Sequence, residues 1–153
     1  MLFPKPVKQA RARKPLRRSM KKGTRTSSRR KARKATSKAC DRLWGQIVRA
    51  KDGGICRLKR HDLTHVCNGP IQAAHGWSRR YRATRWDDRN GFPLCAGAHL
   101  KLTYDPIAWD ELLHQWWGES LYWELRAAAK ATYKPDFAQI LEFLRLGDKG
   151  AIE

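Results

Sequence analysis

Between residues 75 and 99 the chain carries a histidine, His75, an asparagine, Asn90, and a second histidine, His99, the last in a Cys95-x3-His99 pair. Hydrolysing a phosphodiester needs a base to deprotonate water, a divalent cation on the scissile phosphate and leaving oxygen, and a group that holds the base in place. Histidine, asparagine and histidine are types that fill those roles. A neutral imidazole suits the base, because its ordinary pKa lies near working pH and it accepts a proton with little tuning. Each residue also has a plainer reading: His75 as a turn histidine, Asn90 as the former of an Asn90-Gly91 turn, His99 as a surface histidine. Their company of cysteines and arginines lifts the combination above chance.

The elements that must position these residues are short. Ser37 is a plausible N-cap for a helix whose Leu43, Trp44, Ile47 and Val48 fall at helical spacing, with Cys40 as a small core residue. After Asp52-Gly53-Gly54 come short apolar pieces, Ile55-Cys56 and Val66-Cys67, and then Pro70 to His75. The pattern predicts two strands of a ribbon with a polar excursion between them. A basic loop runs from Gly76 to Arg89 with Arg79, Arg80, Arg82 and Arg85. Asn90 to Cys95 predicts a turn into a short apolar piece, and Ala96 to about Tyr104 a helix.

Asp105-Pro106 is a cap followed by proline at the first helical position, with Ile107, Trp109, Leu112, Leu113, Trp116 and Trp117 as the apolar side. Gly118 ends that helix, and Glu119 to Thr132 and Pro135 to Leu146 predict two more. The aromatics read as core and scaffold rather than as a platform for stacking bases.

Charge is placed unevenly. Of the formal +19, sixteen Lys and Arg fall in residues 1 to 38 without one Asp or Glu, which leaves +3 for the rest. A block of like charges cannot bury enough surface to offset the entropy of ordering, so residues 1 to 37 are expected to form a disordered arm that meets a polyanion. The natural partner is the phosphate backbone of DNA. The arm has no apolar stripe for a membrane surface, and no apolar run is long enough to span a bilayer. A cytoplasmic location is therefore expected, where cysteines stay as thiols or bind metal. One domain, 38 to 153, follows the arm, with its core at about 54 to 104 and a helical part at 105 to 146.

The stretch from Ile71 to Arg79, the segment Thr84-Arg85-Trp86-Asp87, and the run from Asn90 to His99 resemble the HNH endonucleases of bacteriophages, most closely the recombination nucleases of the NinG/Rap type. The resemblance covers about residues 40 to 117. It implies an α+β fold with a ββα-metal core flanked by helices, and a metal-dependent endonuclease acting on branched or structured DNA in recombination. It assigns His75 as the general base, Asn90 as the brace that orients it, and His99 as a ligand of the catalytic metal.

Many relatives hold a structural zinc in two Cys-x2-Cys pairs, and this chain departs from them: Lys59 and Ala98 stand where two of those cysteines would be. A hairpin from Arg57 to Val66 would bring Cys67 beside Cys56. With Cys95 and one of His99, His61 or His65 they complete a tetrahedral set of the kind Zn²⁺ favours, although three thiols in a small fold are equally plain core residues. Ala74 stands where an acidic or histidine ligand often precedes the base. The catalytic ion would then keep waters and DNA phosphate in its shell, which suits Mg²⁺ or Mn²⁺. Asp87 and Asp88 either assist it or pair with the loop arginines.

Arg79 and Arg85 are placed to clamp the scissile phosphate, and Arg80 and Arg82 to hold the backbone. Two other readings stand beside this one: a nicking or packaging-associated HNH nuclease, and a non-catalytic, zinc-supported DNA- or RNA-binding protein. If the substrate is a four-way junction, its two symmetric cuts call for a homodimer.

Overall fold

The computed structural model describes residues 25–150. Its order is α1 (Arg25–Ala50), α2 (Arg57–His61), β1 (Ile71–His75), β2 (Gly91–Cys95), α3 (Ala96–Tyr104), α4 (Pro106–Lys130) and α5 (Phe137–Gly150). The class is α+β. The sheet has two antiparallel strands, with Ile71 opposite Cys95 and His75 opposite Gly91. Among the described residues no helix is long and apolar enough to cross a membrane.

The sheet separates two cores. On one side β1 and β2 meet α3 and α4 through Ala74, Phe92, Leu94, Ala98, Leu102 and Leu113, with tryptophans of α4 closing over Phe92. On the other, Cys40, Trp44 and Val48 of α1 pack with Trp86 and with Leu144 of α5. β2 is buried at all five positions, so it reads as a continuous apolar run rather than an alternation. The tryptophans are mostly scaffold, as expected, although Trp123 is half exposed.

Two local expectations are corrected. α1 begins at Arg25 rather than near Ser37, so the last part of the expected disordered arm is helical. Residues 29–36 contain no glycine or proline and are rich in Arg, Lys and Ala, all good helix formers, and Arg33 lies over the Phe137 ring of α5 at 5.3 Å. The rest of the arm, residues 1–24, lies outside the described residues. The ribbon expected from Ile55 to Cys67 is also absent. That segment forms the short helix α2 and a turn at Asp62, and Ile55 and Val66 stay 50% and 84% exposed, without the packing partners that a strand would need.

The strand that pairs with β1 is β2, reached across the long basic loop. α3 and the start of α4 lie where the sequence predicts them. Cys95 and Asp105 cap them through the amides of Ala98 and Ala108. Gly118, expected to end the first helix, has a non-helical backbone with φ 68°, a left-handed value that glycine adopts at no steric cost, and α4 is accordingly two helical stretches joined at a kink there. α5 begins at Phe137, two residues after the expected Pro135.

Candidate active site and metal centre

His75 ends β1, and its backbone partner Gly91 leaves room above the sheet. A Cβ at Gly91 would stand 2.3 Å from Val48 Cγ2 and 2.8 Å from Trp44 Cζ2. The absent side chain lets the Trp44 indole lie flat on the His75 imidazole, with centroids 3.9 Å apart and planes 16° apart. His75 Nε2 donates to the carbonyl of Arg85 at 3.0 Å, which places the proton on Nε2 and leaves the lone pair on Nδ1. Burial pushes the imidazole down to about 4, against the smaller opposing effect of the Arg85 carbonyl. His75 is therefore neutral well below working pH, rather than poised near it.

Asn90 is fully buried and does not touch His75. Its Oδ1 accepts from the Trp77 amide at 2.6 Å, while Nδ2 donates to the carbonyls of Trp77 and Thr84 at 3.0 and 2.9 Å. These bonds tie both ends of the loop to one side chain. The Arg85 carbonyl that holds His75 belongs to the braced loop, so Asn90 acts on the histidine through the backbone.

His99 sits in the first turn of α3. Its Nδ1 donates to Gln72 Oε1 at 2.8 Å, which leaves Nε2 with the lone pair, and burial lowers its pKa. His75 and His99 line one cleft of about 530 Å³ with Ser78, Arg79 and Thr103. No carboxylate lines it. Asp87 is bound to Arg89, and Asp88 to Lys51.

The four arginines expected to meet DNA fall into different situations. Arg85 forms a two-pronged pair with Asp41 of α1, at 3.0 and 2.8 Å, and is not free to clamp a phosphate. Arg80 folds onto the ring and hydroxyl of Tyr81. Arg79 lines both the His75–His99 cleft and the neighbouring cleft over Trp44, and among the described residues it has no ion-pair partner. Arg82 is exposed.

A second cluster lies beyond the other end of the sheet. Cys56 precedes α2, Cys95 ends β2, and the loop between them folds back: Gly97 N donates to Asn68 O and Ala96 N to Pro70 O. The turn at Asp62 brings in His65, whose Nε2 lies 3.4 Å from Cys95 Sγ. Donor atoms of Cys56, His65, Cys67 and Cys95 all lie within 4.8 Å of one another. Tetrahedral zinc ligands at about 2.3 Å from the ion stand roughly 3.7 Å apart, so this set could hold a metal such as Zn²⁺.

Burial raises the Cys95 thiol, but hydrogen bonds from the amides of Ala98 and Asn68, and then from His65 and Cys56, outweigh it and bring the pKa to about 6. Desolvation and the nearby charge of Cys56 and Cys95 push Cys67 up to about 11. A dication would relieve that crowding of like charge. Neither His61 nor His99 belongs to this cluster. Cys40 stays in the second core with its Sγ toward Phe137 O.

Sequence reasoning read Trp44 only as a core residue and did not single out Asp41 or Gln72, although each of the three orients a site residue. His65 was one of three candidate histidines, and its His-x-Cys spacing to Cys67 was the available signal. Comparison with protein-family models, with curated proteins and with solved structures finds no match.

Proposed function

We propose that this chain is a metal-dependent endonuclease of the HNH type that hydrolyses DNA phosphodiester bonds. The observation that carries the reading is the shared cleft of His75 and His99, at the end of one strand and the first turn of the following helix. Each histidine has one nitrogen committed to a carbonyl oxygen and the other left as a lone pair. Preference for branched DNA, and a role in phage recombination, rest on the sequence resemblance alone.

In this reading His75 Nδ1 accepts the proton of the attacking water, and the Arg85 carbonyl and Trp44 hold the ring in place. Asn90 fixes the loop that carries that carbonyl. Arg79 supplies a guanidinium for the phosphate. A divalent ion such as Mg²⁺ or Mn²⁺ would stabilise charge on the phosphate and leaving oxygen. The cleft offers it one imidazole, from His99, so water and phosphate oxygens must complete its shell. Cys56, His65, Cys67 and Cys95 would hold a structural Zn²⁺ away from the chemistry.

The missing carboxylate favours a second reading, a zinc-supported DNA- or RNA-binding protein without catalysis. Single-turnover cleavage of junction and plain duplex DNA, with Mg²⁺ or Mn²⁺, separates the two. His75→Ala should lower the rate about 10²- to 10⁴-fold at nearly unchanged DNA affinity. His99→Ala should also lose cutting but recover in part at high Mn²⁺. A folded His75→Ala that cuts as fast as wild type leaves the binding reading in its place.

A further inference from the structure

Where α1 crosses the basic loop, a groove of about 230 Å³ gathers Arg30, Arg33 and Lys34 from the helix with Arg82 and Arg85 from the loop. No carboxylate lines it. Arg85 is neutralised by Asp41 and Arg33 lies over Phe137, whereas Arg30, Lys34 and Arg82 have no ion-pair partner among the described residues. Cations from two distant segments meet here, unlike the solvated face of a single helix. The larger cleft on the other side of Trp86 is lined by Asp87 and Asp88 and lacks this one-signed field.

We infer that this groove seats the sugar–phosphate backbone of duplex DNA on one side of the cut. The apolar floor favours a paired strand over unpaired bases: Trp86 is buried and the Phe137 ring is covered by Arg33, so no open aromatic face is offered for stacking. Distance along α1 sets the register. Trp44 stacks on His75, and Lys34 and Arg30 lie ten and fourteen residues before it on the same helix. At 1.5 Å per residue that is roughly 15–21 Å, or about four to six base pairs at 3.4 Å each. The seat itself is independent of catalysis, while the register rests on His75 marking the scissile phosphate.

The test uses the full chain and the triple variant Arg30→Gln/Lys34→Gln/Arg82→Gln, which spares the contacts of Arg33 and Arg85. Binding to a 30-base-pair DNA duplex and to an RNA duplex of the same length is measured across salt, and cuts are mapped on DNA duplexes carrying a short neutral methylphosphonate patch in one strand. The triple variant should give a slope of log affinity against log salt shallower by roughly 2–3. With wild type, cuts should be depleted roughly four to six base pairs to one side of the patch, and the triple variant should lose that offset depletion.

An unchanged slope, or a slope change confined to RNA duplex, overturns the groove proposal even if the protein cuts. A shallower slope with no cutting by wild type upholds the seat and removes the nuclease reading. A shallower slope with cutting that is depleted only at the patch itself overturns the register.

Discussion

The Trp44 indole lies face to face on the His75 imidazole at 3.9 Å, and its Nε1 donates to the carbonyl of Asp87 at 3.0 Å. One side chain of α1 thus covers the proposed base and fastens the end of the loop that orients it. Trp44→Phe keeps an apolar ring and loses the indole bond, leaving the part-buried Asp87 carbonyl with only the Asn90 amide, at a cost of about 0.5–1.5 kcal/mol. Thermal unfolding should report that loss. The His75 ring signal in an NMR titration should move up from about 4 toward the ordinary histidine value as water gains access. A titration point equal to that of wild type would show that Trp44 does not control the histidine.

Stability should fall with acid through His75. Its folded pKa lies below the unfolded value of about 6.5, so the unfolded chain binds the extra proton first as pH drops. The stabilisation is complete above about 6.5, declines between there and about 4, and amounts to on the order of 2–3 kcal/mol. His99, lowered in the same direction, adds to the slope. His75→Gln should flatten the denaturant-derived stability profile in that window relative to wild type. The cutting rate should be flat from about pH 5.5 to 8 as far as His75 is concerned, because the neutral form is already filled.

Asn90→Ala should remove three hydrogen bonds, leaving the Trp77 amide and carbonyl without their partner and the Thr84 carbonyl with only the Asp87 amide. The expected loss is about 2–4 kcal/mol, with faster hydrogen exchange at the Trp77 amide. Asn90→Asp should be no better, since a carboxylate cannot donate to two buried carbonyls and would carry charge into a site with no exposure. Equal stability of Asn90→Asp and wild type would show that the brace is not needed.

Cys67 is exposed, so a cysteine there with no metal role could be replaced at little cost in packing. Cys67→Ser should nonetheless lower the melting temperature of protein purified with zinc, and a strong chelator should lower wild type to the same value, because the ion's binding energy is part of the folding energy. Elemental analysis should give one zinc per wild-type chain and less in Cys67→Ser and His65→Ala. Folded wild type without zinc, unaffected by chelator, would leave the cluster as core thiols.

The helices were legible where local chemistry marks them. Asp105-Pro106 opens α4, and Gly118 kinks it where the sequence predicts one helix to end and the next to begin. The partner of β1 was harder to read, because β2 is buried on both faces and lies across a loop of fifteen residues, 76–90, that gives no alternating signal. Ile55 and Val66 were misread for a related reason: apolar type was taken for burial, and neither residue finds a neighbour to cover it. His75, Asn90 and His99 stood out by type and order, but their orienting groups did not. Asp41 reaches Arg85 and Trp44 reaches His75 across 44 and 31 positions of sequence, and no local pattern encodes contacts at that range. The Asp41 contact is also why Arg85, expected on the phosphate, is occupied elsewhere.

α1 carries the cations of the groove and the ring over His75 on one helical rod, so angle as well as distance is shared between them. Each residue of an α-helix turns about 100° around the axis, and a single residue added between Lys38 and Asp41 would swing the cationic face by roughly that angle relative to the cleft. Two added residues would turn it nearly to the opposite side, whereas a full heptad would restore its bearing while moving it roughly 10 Å outward. This segment is thus constrained in length by phase: substitutions that keep the helix can be absorbed there, but insertions and deletions cannot.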